Sequence, residues 1–234
     1  MAEILTFLPG TTCDQRLWAP VWQRLIPRFS CDYVPAETQP TREGMLGLIH
    51  SAASVGEPLN LVAFSIGGYL GLEYALTHPG RVASLITVGS SAFGLSDAEK
   101  TQRVRMVAML EHHEYRGMPP ARLNQFVHPS RQTDPEVVDV IRAMDRELGK
   151  PVLMAQLKET STRASLAPRL PELEIPVLLI GADGDPFVPR QSIEQMAALI
   201  PGAQTAMAVN AGHMIPLEQP GWLAERITAF HNKA

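Results

Sequence analysis

A serine, a histidine and two aspartates lie in separate segments whose local patterns suit nucleophilic catalysis. Ser65 follows a short apolar run and precedes a helical pattern, with small residues two positions away on either side, at Ala63 and Gly67. An abrupt strand-to-helix turn strains the backbone of the corner residue and presents its side chain at the sheet edge. The pattern predicts a nucleophilic serine. The competing interpretation is a buried serine, with Gly67 serving only close packing.

The acid and base candidates follow two later strand patterns. Asp183 and Asp185 come directly after the apolar run at 177–180, and His213 comes directly after the run at 205–209. Open parallel sheets keep their active crevice at the carboxyl ends of the strands. The chain order Ser, Asp, His at three strand ends therefore predicts a Ser-His-Asp triad. Turns are also rich in aspartate for backbone reasons, so one of the two acids is expected to be a turn former.

Two backbone N–H groups are candidates for holding a developing oxyanion. Ile66 opens the helix after the serine, where the N–H groups are free. Gly10 follows the first strand and allows a sharp turn that exposes the N–H of Thr11, or else that of Thr12. A donor of this kind is typically worth about 3 kcal/mol. The alternative for Gly10 is a simple strand–helix turn.

Composition restricts the class of protein. The 234 residues are 45% hydrophobic and 19% charged, with a net charge of −4, which is typical of a globular domain and unlike a nucleic-acid-binding or membrane protein. No apolar run reaches the roughly 20 residues that span a bilayer, and the N-terminal residues lack the basic region of a secretory signal. Two cysteines, Cys13 and Cys31, favour free thiols and a cytoplasmic location over a disulfide. We expect Cys13 to have a packing role.

The hydrophobic pattern indicates how these residues are positioned. Six short apolar runs are the predicted strands: Ile4–Leu8, Cys31–Val34, Leu59–Ala63, Leu85–Val88, Val177–Ile180 and Thr205–Val209. Helical patterns separate most of them, which predicts a doubly wound, mostly parallel six-stranded α/β sheet. The interval from Gly89 to Pro176 is helical in character and has no convincing strand. It predicts a helical cap at 92–170, inserted into a core formed by 1–91 and 171–234.

The chain resembles the α/β-hydrolase superfamily, in particular small bacterial members with an L-P-G-x-x-C-D-x-x-x-W loop. The matching positions are Leu8 to Asp14 with Trp18, the serine corner followed by Ala75, Leu76, His78 and Pro79, the segment with Asp185, Pro186 and Pro189, and Gly212-His213. The resemblance implies an α/β-hydrolase fold and a Ser65–His213–Asp185 mechanism without a cofactor, under a helical lid. It also favours Asp185 over Asp183, because Asp185 matches the Asp-Pro position.

Some positions depart from the usual pattern of the superfamily. Pro9-Gly10 replaces the usual His-Gly of the oxyanion loop, which removes a side chain but leaves the backbone donors. The sheet also begins at the strand before that loop, so a trimmed sheet is expected.

The predicted activity is hydrolysis of a small-molecule carboxylic ester, lactone or thioester through an acyl-enzyme. The alternatives are a triad-based lyase or C–C bond hydrolase, similar to menaquinone-pathway enzymes, and a non-catalytic receptor. Those lyases carry arginine after the paired glycines, where this chain has Tyr69, which counts against them. Phe64 and Arg163 are the candidate substrate contacts; for Arg163 a structural ion pair is an equal alternative. No metal site is predicted, and His112-His113-Glu114 is interpreted as cap surface. The sequence does not indicate the oligomeric state.

Charge is unevenly distributed along the chain. The segment 91–170 contains 12 basic and 10 acidic residues, against 8 and 14 in the remainder. Such a balance would suit an anionic substrate, but interspersed opposite charges favour ordinary solvated helix faces.

Overall fold

The computed structural model describes residues 2–54 and 57–232. Its centre is a six-stranded sheet in which every neighbouring pair of strands runs parallel. The strands are β1 (Glu3–Leu8), β2 (Phe29–Tyr33), β3 (Leu59–Phe64), β4 (Val82–Val88), β5 (Val177–Ala182) and β6 (Gln204–Ala208). The six predicted strands are therefore confirmed, with ends displaced by at most three residues.

The strand order β2-β1-β3-β4-β5-β6 reverses its direction between β1 and β3. Parallel sheets bind ligands at such a point, because the loops after the two strands diverge to opposite faces and leave a crevice. The loop after β1 contains Gly10, and the turn after β3 contains Ser65. The topology thus brings the predicted oxyanion loop and the predicted nucleophile to the same crevice.

Burial along the strands explains why most of them read as continuous apolar runs. Every residue of β5 is buried, and β3 is buried except at its second residue. These strands are covered on both faces, so neither face selects polar residues. The edge strands β2 and β6 keep exposed positions, since each has only one neighbouring strand.

Helices cover both faces of the sheet. The helices of the described residues are α1 (Ala19–Leu25), α2 (Arg42–Ser54), α3 (Ile66–Thr77), α4 (Asp97–His112), α5 (Pro120–Phe126), α6 (Pro135–Ser161), α7 (Arg190–Leu199), α8 (Ile215–Glu218) and α9 (Pro220–His231). One apolar core packs α1 and α9 against the sheet, and the other packs α2, α3 and α7 on the opposite face. The doubly wound architecture predicted from the sequence is confirmed.

The interval between β4 and β5 contains α4, α5 and α6 and, within residues 89–176, no strand. Helix α4 packs against α6, and α6 bends at Gly149, whose φ of 67° is not helical. The two ends of this insertion meet where the Leu166 N–H donates to the Ala92 carbonyl at 2.9 Å. The boundaries 92 and 170 of a separate cap stay a prediction, which this closure of the insertion supports.

Three further features bear on the sequence predictions. None of the helices built from the described residues combines the length and the hydropathy needed to cross a bilayer. Cys13 is buried and Cys31 half-buried, and both are free thiols; the cytoplasmic location stays a prediction. Over residues 2–54 and 57–232, no group of three or more His, Cys, Asp or Glu side chains is arranged to hold a metal ion.

Candidate active site

Ser65 is the single residue between β3 and α3. Its φ of 51° and ψ of −116° lie in a region that non-glycine residues rarely occupy, at a typical cost of about 1–3 kcal/mol. The surroundings hold it there: its N–H donates to the Val88 carbonyl at 2.9 Å, and its carbonyl accepts the Gly68 N–H at 3.0 Å. Ser65 is half-buried, as expected for a side chain presented at the edge of the sheet.

The small residues around Ser65 are required by close contacts between the loop after β1 and α3. A Cβ atom on Gly67 would collide with the Pro9 carbonyl oxygen, and one on Gly10 would lie 2.6 Å from the Phe64 ring and 3.3 Å from Ser65 Cβ. The Pro9 carbonyl belongs to the backbone and cannot move aside as the end of a flexible side chain can, so a side chain at Gly67 is excluded. The small residue at Gly67 is therefore required by the loop after β1, which α3 approaches closely.

His213 reaches Ser65 from the loop after β6. Its Nε2 lies 3.0 Å from Ser65 Oγ, and its backbone N–H donates to the Phe126 carbonyl at 2.8 Å. The side chain is nearly enclosed, with three aromatic rings around the imidazole: Phe64 at 5.0 Å, Phe187 at 5.2 Å and Phe126 at 5.8 Å between centroids. The ring is thus fixed by packing as well as by hydrogen bonds.

Asp185 completes this chain of hydrogen bonds. Its Oδ2 lies 2.7 Å from His213 Nδ1, and its side chain is fully buried. Its other oxygen, Oδ1, accepts the backbone N–H groups of Phe187 at 2.8 Å and Val188 at 3.2 Å. The structure therefore brings together the three residues that the sequence predicted, from the ends of three different strands.

Asp183, the alternative acid, lies elsewhere. Its carboxylate accepts the backbone N–H groups of Asn210 at 3.2 Å and Ala211 at 3.4 Å. This links the loop after β5 to the loop after β6. Asp183 is the turn-forming acid, as the preference for Asp185 implied.

Phe64 was a candidate substrate contact, and its position does not suit that role. Its side chain is only 1% exposed, and its ring is enclosed between Trp18, Gly10 and the imidazole of His213. Because little of the ring reaches the surface, Phe64 supports the histidine from below and is not available to a substrate.

One predicted oxyanion donor, Ile66, follows Ser65 directly, and the other, Thr11, follows Gly10, where an added Cβ atom would lie 3.3 Å from Ser65 Cβ. Ile66 opens α3, and the N–H groups of Ile66 and Thr11 donate to no acceptor among the described residues. The Thr12 N–H is different, because it donates to Gln156 Oε1 at 2.8 Å. Thr12 is therefore not a free donor, and of the two threonines only Thr11 can serve the predicted role.

Gln156 was not found by sequence analysis. It lies on α6, is 3% exposed, and crosses from the insertion to hold the loop at Thr12, whose φ of 50° is unusual for a non-glycine residue. No local pattern marks a glutamine for such a contact, because its partner lies 144 positions away. Gln156 positions the loop that carries Thr11.

Glu218 was also missed. This buried carboxylate accepts the N–H of Gly212 at 3.0 Å and that of His128 at 2.8 Å, and so fixes the loop before His213 against the insertion. Burial raises the pKa of Glu218 above its ordinary value. A glutamate just after the Gly-His pair is a weak signal, since nothing in the sequence indicates that it is buried.

Arg163 lies apart from Ser65, in a surface cleft of about 750 Å³ between the segment after β4 and the segment after α6. Neither Ser65 nor His213 lines this cleft. Arg163 forms no ion pair with any carboxylate of the described residues; its guanidinium lies over the Tyr69 ring, 5.3 Å from the centroid. Of the two interpretations of Arg163, the structural ion pair is therefore not found.

Cys13 is close to the oxyanion loop but is unsuited to catalysis. It is 4% exposed, and its thiol lies 3.4 Å from the Thr11 carbonyl oxygen. Burial, together with the charge of Asp14, raises the pKa of Cys13 far above its ordinary value. Because the thiolate is the reactive form, the predicted packing role is supported.

A parallel, doubly wound sheet with Ser, His and Asp at its carboxyl edge is the architecture of serine-dependent α/β enzymes. The sequence model of the alpha/beta hydrolase fold matches residues 52–220. The chain belongs to the α/β-hydrolase fold family, which confirms the resemblance at the level of the superfamily.

Similar proteins are consistent with this membership. A pimeloyl-[acyl-carrier protein] methyl ester esterase of Photorhabdus laumondii is 25% identical over an alignment covering 98% of this chain and 92% of the relative. Two solved structures share the fold with a TM-score of 0.85: an esterase from Thermogutta terrifontis, 23% identical over 100% of this chain and 90% of the other, and an enol-lactonase from Burkholderia xenovorans, 18% identical over 99% and 92%.

Proposed function

We propose that this protein is a cofactor-independent ester hydrolase in which Ser65, His213 and Asp185 are the catalytic residues. The observation that carries the proposal is the continuous hydrogen-bonded chain from Ser65 Oγ to His213 at 3.0 Å and from His213 to Asp185 at 2.7 Å. That arrangement meets the geometric requirement for a nucleophile, a base and a group that orients the base. The substrate is a small molecule with a carboxylic ester, thioester or lactone group.

In the first half of the reaction, His213 Nε2 accepts the hydroxyl proton of Ser65 while Oγ attacks the substrate carbonyl carbon. The tetrahedral intermediate collapses as His213 returns that proton to the leaving alcohol, which leaves an acyl group on Ser65. In the second half, water attacks the acyl-enzyme with His213 again as the base, and the acid is released. Asp185 orients the imidazole and stabilises its charged form.

The negative charge of the tetrahedral oxygen is the second requirement. The N–H groups of Thr11 and Ile66 are proposed to donate to it, because Ile66 follows Ser65, Thr11 follows the nearby Gly10, and neither N–H has an acceptor among the described residues. Preorganised donors of this kind typically contribute about 3 kcal/mol each. Gln156 contributes indirectly, by fixing Thr12 and hence the loop.

The helical insertion is proposed to act as a cap over the site. Phe126, in this insertion, touches both the His213 backbone and its ring. Gln156, also in the insertion, holds the oxyanion loop. Because one contact is with the proposed catalytic histidine and the other is with the loop that carries Thr11, the cap and the site form one unit, and substrate selection depends on cap side chains.

An ester series tests the activity. We expect p-nitrophenyl esters of increasing acyl length to be hydrolysed, and a fluorophosphonate probe to label Ser65 as located by peptide mapping. Ser65→Ala is expected to lower kcat at least about 1,000-fold with an unchanged circular dichroism spectrum. Ser51→Ala, on the exposed side of α2, is the matched control and should behave as wild type. A Ser65→Ala enzyme within tenfold of wild-type turnover would exclude the proposed mechanism.

A further inference from the structure

Three arginines of the insertion share an unusual combination of partial burial and missing carboxylate partners. They are Arg103 on α4, Arg122 on α5 and Arg163 just after α6. None of them forms an ion pair with a carboxylate of the described residues, whereas Arg42, which is similarly half-buried, pairs with Glu73. A guanidinium removed from water without an anion is energetically unfavourable. Within the part of the chain that the structure describes, the three guanidinium groups therefore lack an ion-pair partner.

Arg163 links the cleft to Tyr69, on the helix that follows Ser65. It lines the cleft, its Nε is buried with no hydrogen-bond partner among residues 2–54 and 57–232, and its guanidinium lies over Tyr69. Tyr69 is one helical turn after Ser65, about 6 Å along the axis of α3, and its hydroxyl donates to the Ala164 carbonyl at 2.8 Å. Arg163 and the Ala164 carbonyl thus both contact a side chain of the helix that begins directly after Ser65.

Arg103 approaches the same place from α4. Its Nη1 donates to Thr160 Oγ1 at 2.7 Å, three residues before Arg163. Burial, and then the positive charges of Arg163 and Arg122, lower the pKa of Arg103 to about 10. Glu99 is the carboxylate whose charge reaches both Arg103 and Arg163, but one of its oxygens already accepts the Ser96 N–H and hydroxyl. The repulsion between these arginines is not neutralised by an ion pair.

Arg122 flanks the histidine side of the site. Its guanidinium lies over the Phe126 ring at 4.7 Å and the Phe187 ring at 5.2 Å, and both rings pack against the imidazole of His213. Its hydrogen bond at 2.8 Å goes to the neutral amide of Gln125. Arg122 therefore lies against two rings that contact His213, and the three cations come from three different segments of the insertion.

We infer that Arg103, Arg122 and Arg163 form a binding site for an anionic group of the substrate, so that the preferred esters carry a carboxylate or a phosphate away from the scissile bond. This inference rests on the proposed ester hydrolysis and specifies its substrate class. Guanidinium groups bind both kinds of oxyanion through paired N–H donors. Such a group would supply the missing counter-charge and orient the ester toward Ser65.

The test compares substrates whose far end is either a charged carboxylate or its neutral methyl ester, with kcat/KM expressed per ester group. Monomethyl and dimethyl esters of succinic, adipic and suberic acid are hydrolysed side by side, with methanol release as the readout. Matched methyl esters that end in a phosphate distinguish the two anions. We expect the wild-type enzyme to prefer an anionic ester in kcat/KM by about tenfold or more, the scale of a charge-assisted hydrogen bond.

The variants Arg163→Gln and Arg103→Gln should reduce that preference about tenfold each. Arg105→Gln is the matched control, because Arg105 lies on the same helix but is exposed; it should leave the preference unchanged. Equal kcat/KM for the charged and neutral esters in the wild-type enzyme would overturn the inference, as would a preference that survives in Arg163→Gln and Arg103→Gln.

A binding measurement separates this inference from the proposed function. In Ser65→Ala protein, calorimetry is expected to detect monomethyl adipate binding at least tenfold tighter than dimethyl adipate, and addition of Arg163→Gln should abolish the difference. If no ester is hydrolysed by the wild-type enzyme yet this difference is present, ester hydrolysis is refuted and the anion site stands. Hydrolysis of neutral esters without any binding difference refutes the anion site alone.

Discussion

Replacing Asp185 with asparagine separates the role of its charge from its role in the fold. The two carboxylate oxygens have different partners: Oδ1 accepts two backbone N–H groups, and Oδ2 faces His213 Nδ1 at 2.7 Å. In Asp185→Asn the amide oxygen is expected to keep the position that accepts the backbone N–H groups. The amide nitrogen then faces Nδ1 and, as a donor, requires Nδ1 to be unprotonated.

The resulting loss of activity is large because the proton moves to the other ring nitrogen. Nε2–H then points at Ser65 Oγ, 3.0 Å away, and the imidazole cannot accept the serine proton. Loss of the correct tautomer typically lowers kcat by about 10⁴, or about 5 kcal/mol of transition-state stabilisation. The opposite orientation of the amide is unfavourable, because its NH2 group would then face the N–H groups of Phe187 and Val188, which would lose their acceptor at a cost of about 1–3 kcal/mol each.

The assay is steady-state hydrolysis of a p-nitrophenyl ester, with urea unfolding to check that the fold persists. Asp183→Asn is the matched control: the same change two residues away, at an exposed carboxylate that accepts only loop N–H groups. We expect it to retain at least a tenth of kcat. The reasoning would be refuted if Asp185→Asn retained that much activity, or if Asp183→Asn lost as much as Asp185→Asn.

Three further substitutions test the surrounding structure. Gln156→Leu leaves the buried Thr12 N–H without an acceptor, so it should destabilise the fold by about 1–3 kcal/mol and lower kcat more than it changes KM. Gln156→Glu keeps an acceptor and should restore kcat. Equal kcat values for the two variants would contradict the positioning role. Gly67→Ala should unfold at a lower urea concentration because the new Cβ meets a backbone carbonyl. In the control Gly47→Ala the new Cβ has no atom within 4 Å, so the free energy of unfolding should rise by up to about 1 kcal/mol. A Gly67→Ala protein as stable as wild type would be inconsistent with the contact at Gly67. Burial raises the pKa of Glu218 above its ordinary 4.5, so the stability contributed by its protonation is fully present below pH 4.5 and is lost as the pH rises through the folded-state pKa. The unfolding free energy of wild type minus that of Glu218→Gln should therefore fall over this pH range. A difference independent of pH would count against the raised pKa of Glu218.

The local patterns of the chain determined the elements and the three residues of the triad. Apolar runs at 59–63 and 177–180 indicated buried strands because a strand covered on both faces has no polar side, and both were found. The Ser65 corner was recognisable because its geometry requires small neighbours within two residues. The family and the ester-hydrolase class predicted from these motifs agree with the comparisons. The catalytic roles and the cap boundaries stay predictions, supported by the geometry.

Contacts between distant segments were decided only by the tertiary structure. Phe64 adjoins Ser65 in the sequence, yet packing encloses its ring beneath His213. Gln156 reaches Thr12 across 144 positions. Arg163 was noted as a candidate, but only the tertiary structure shows that no carboxylate of the described residues forms an ion pair with it. Strand and turn propensities act over a few residues, so a short sequence segment is enough to predict them. Burial and charge pairing depend instead on which distant segments the fold brings into contact.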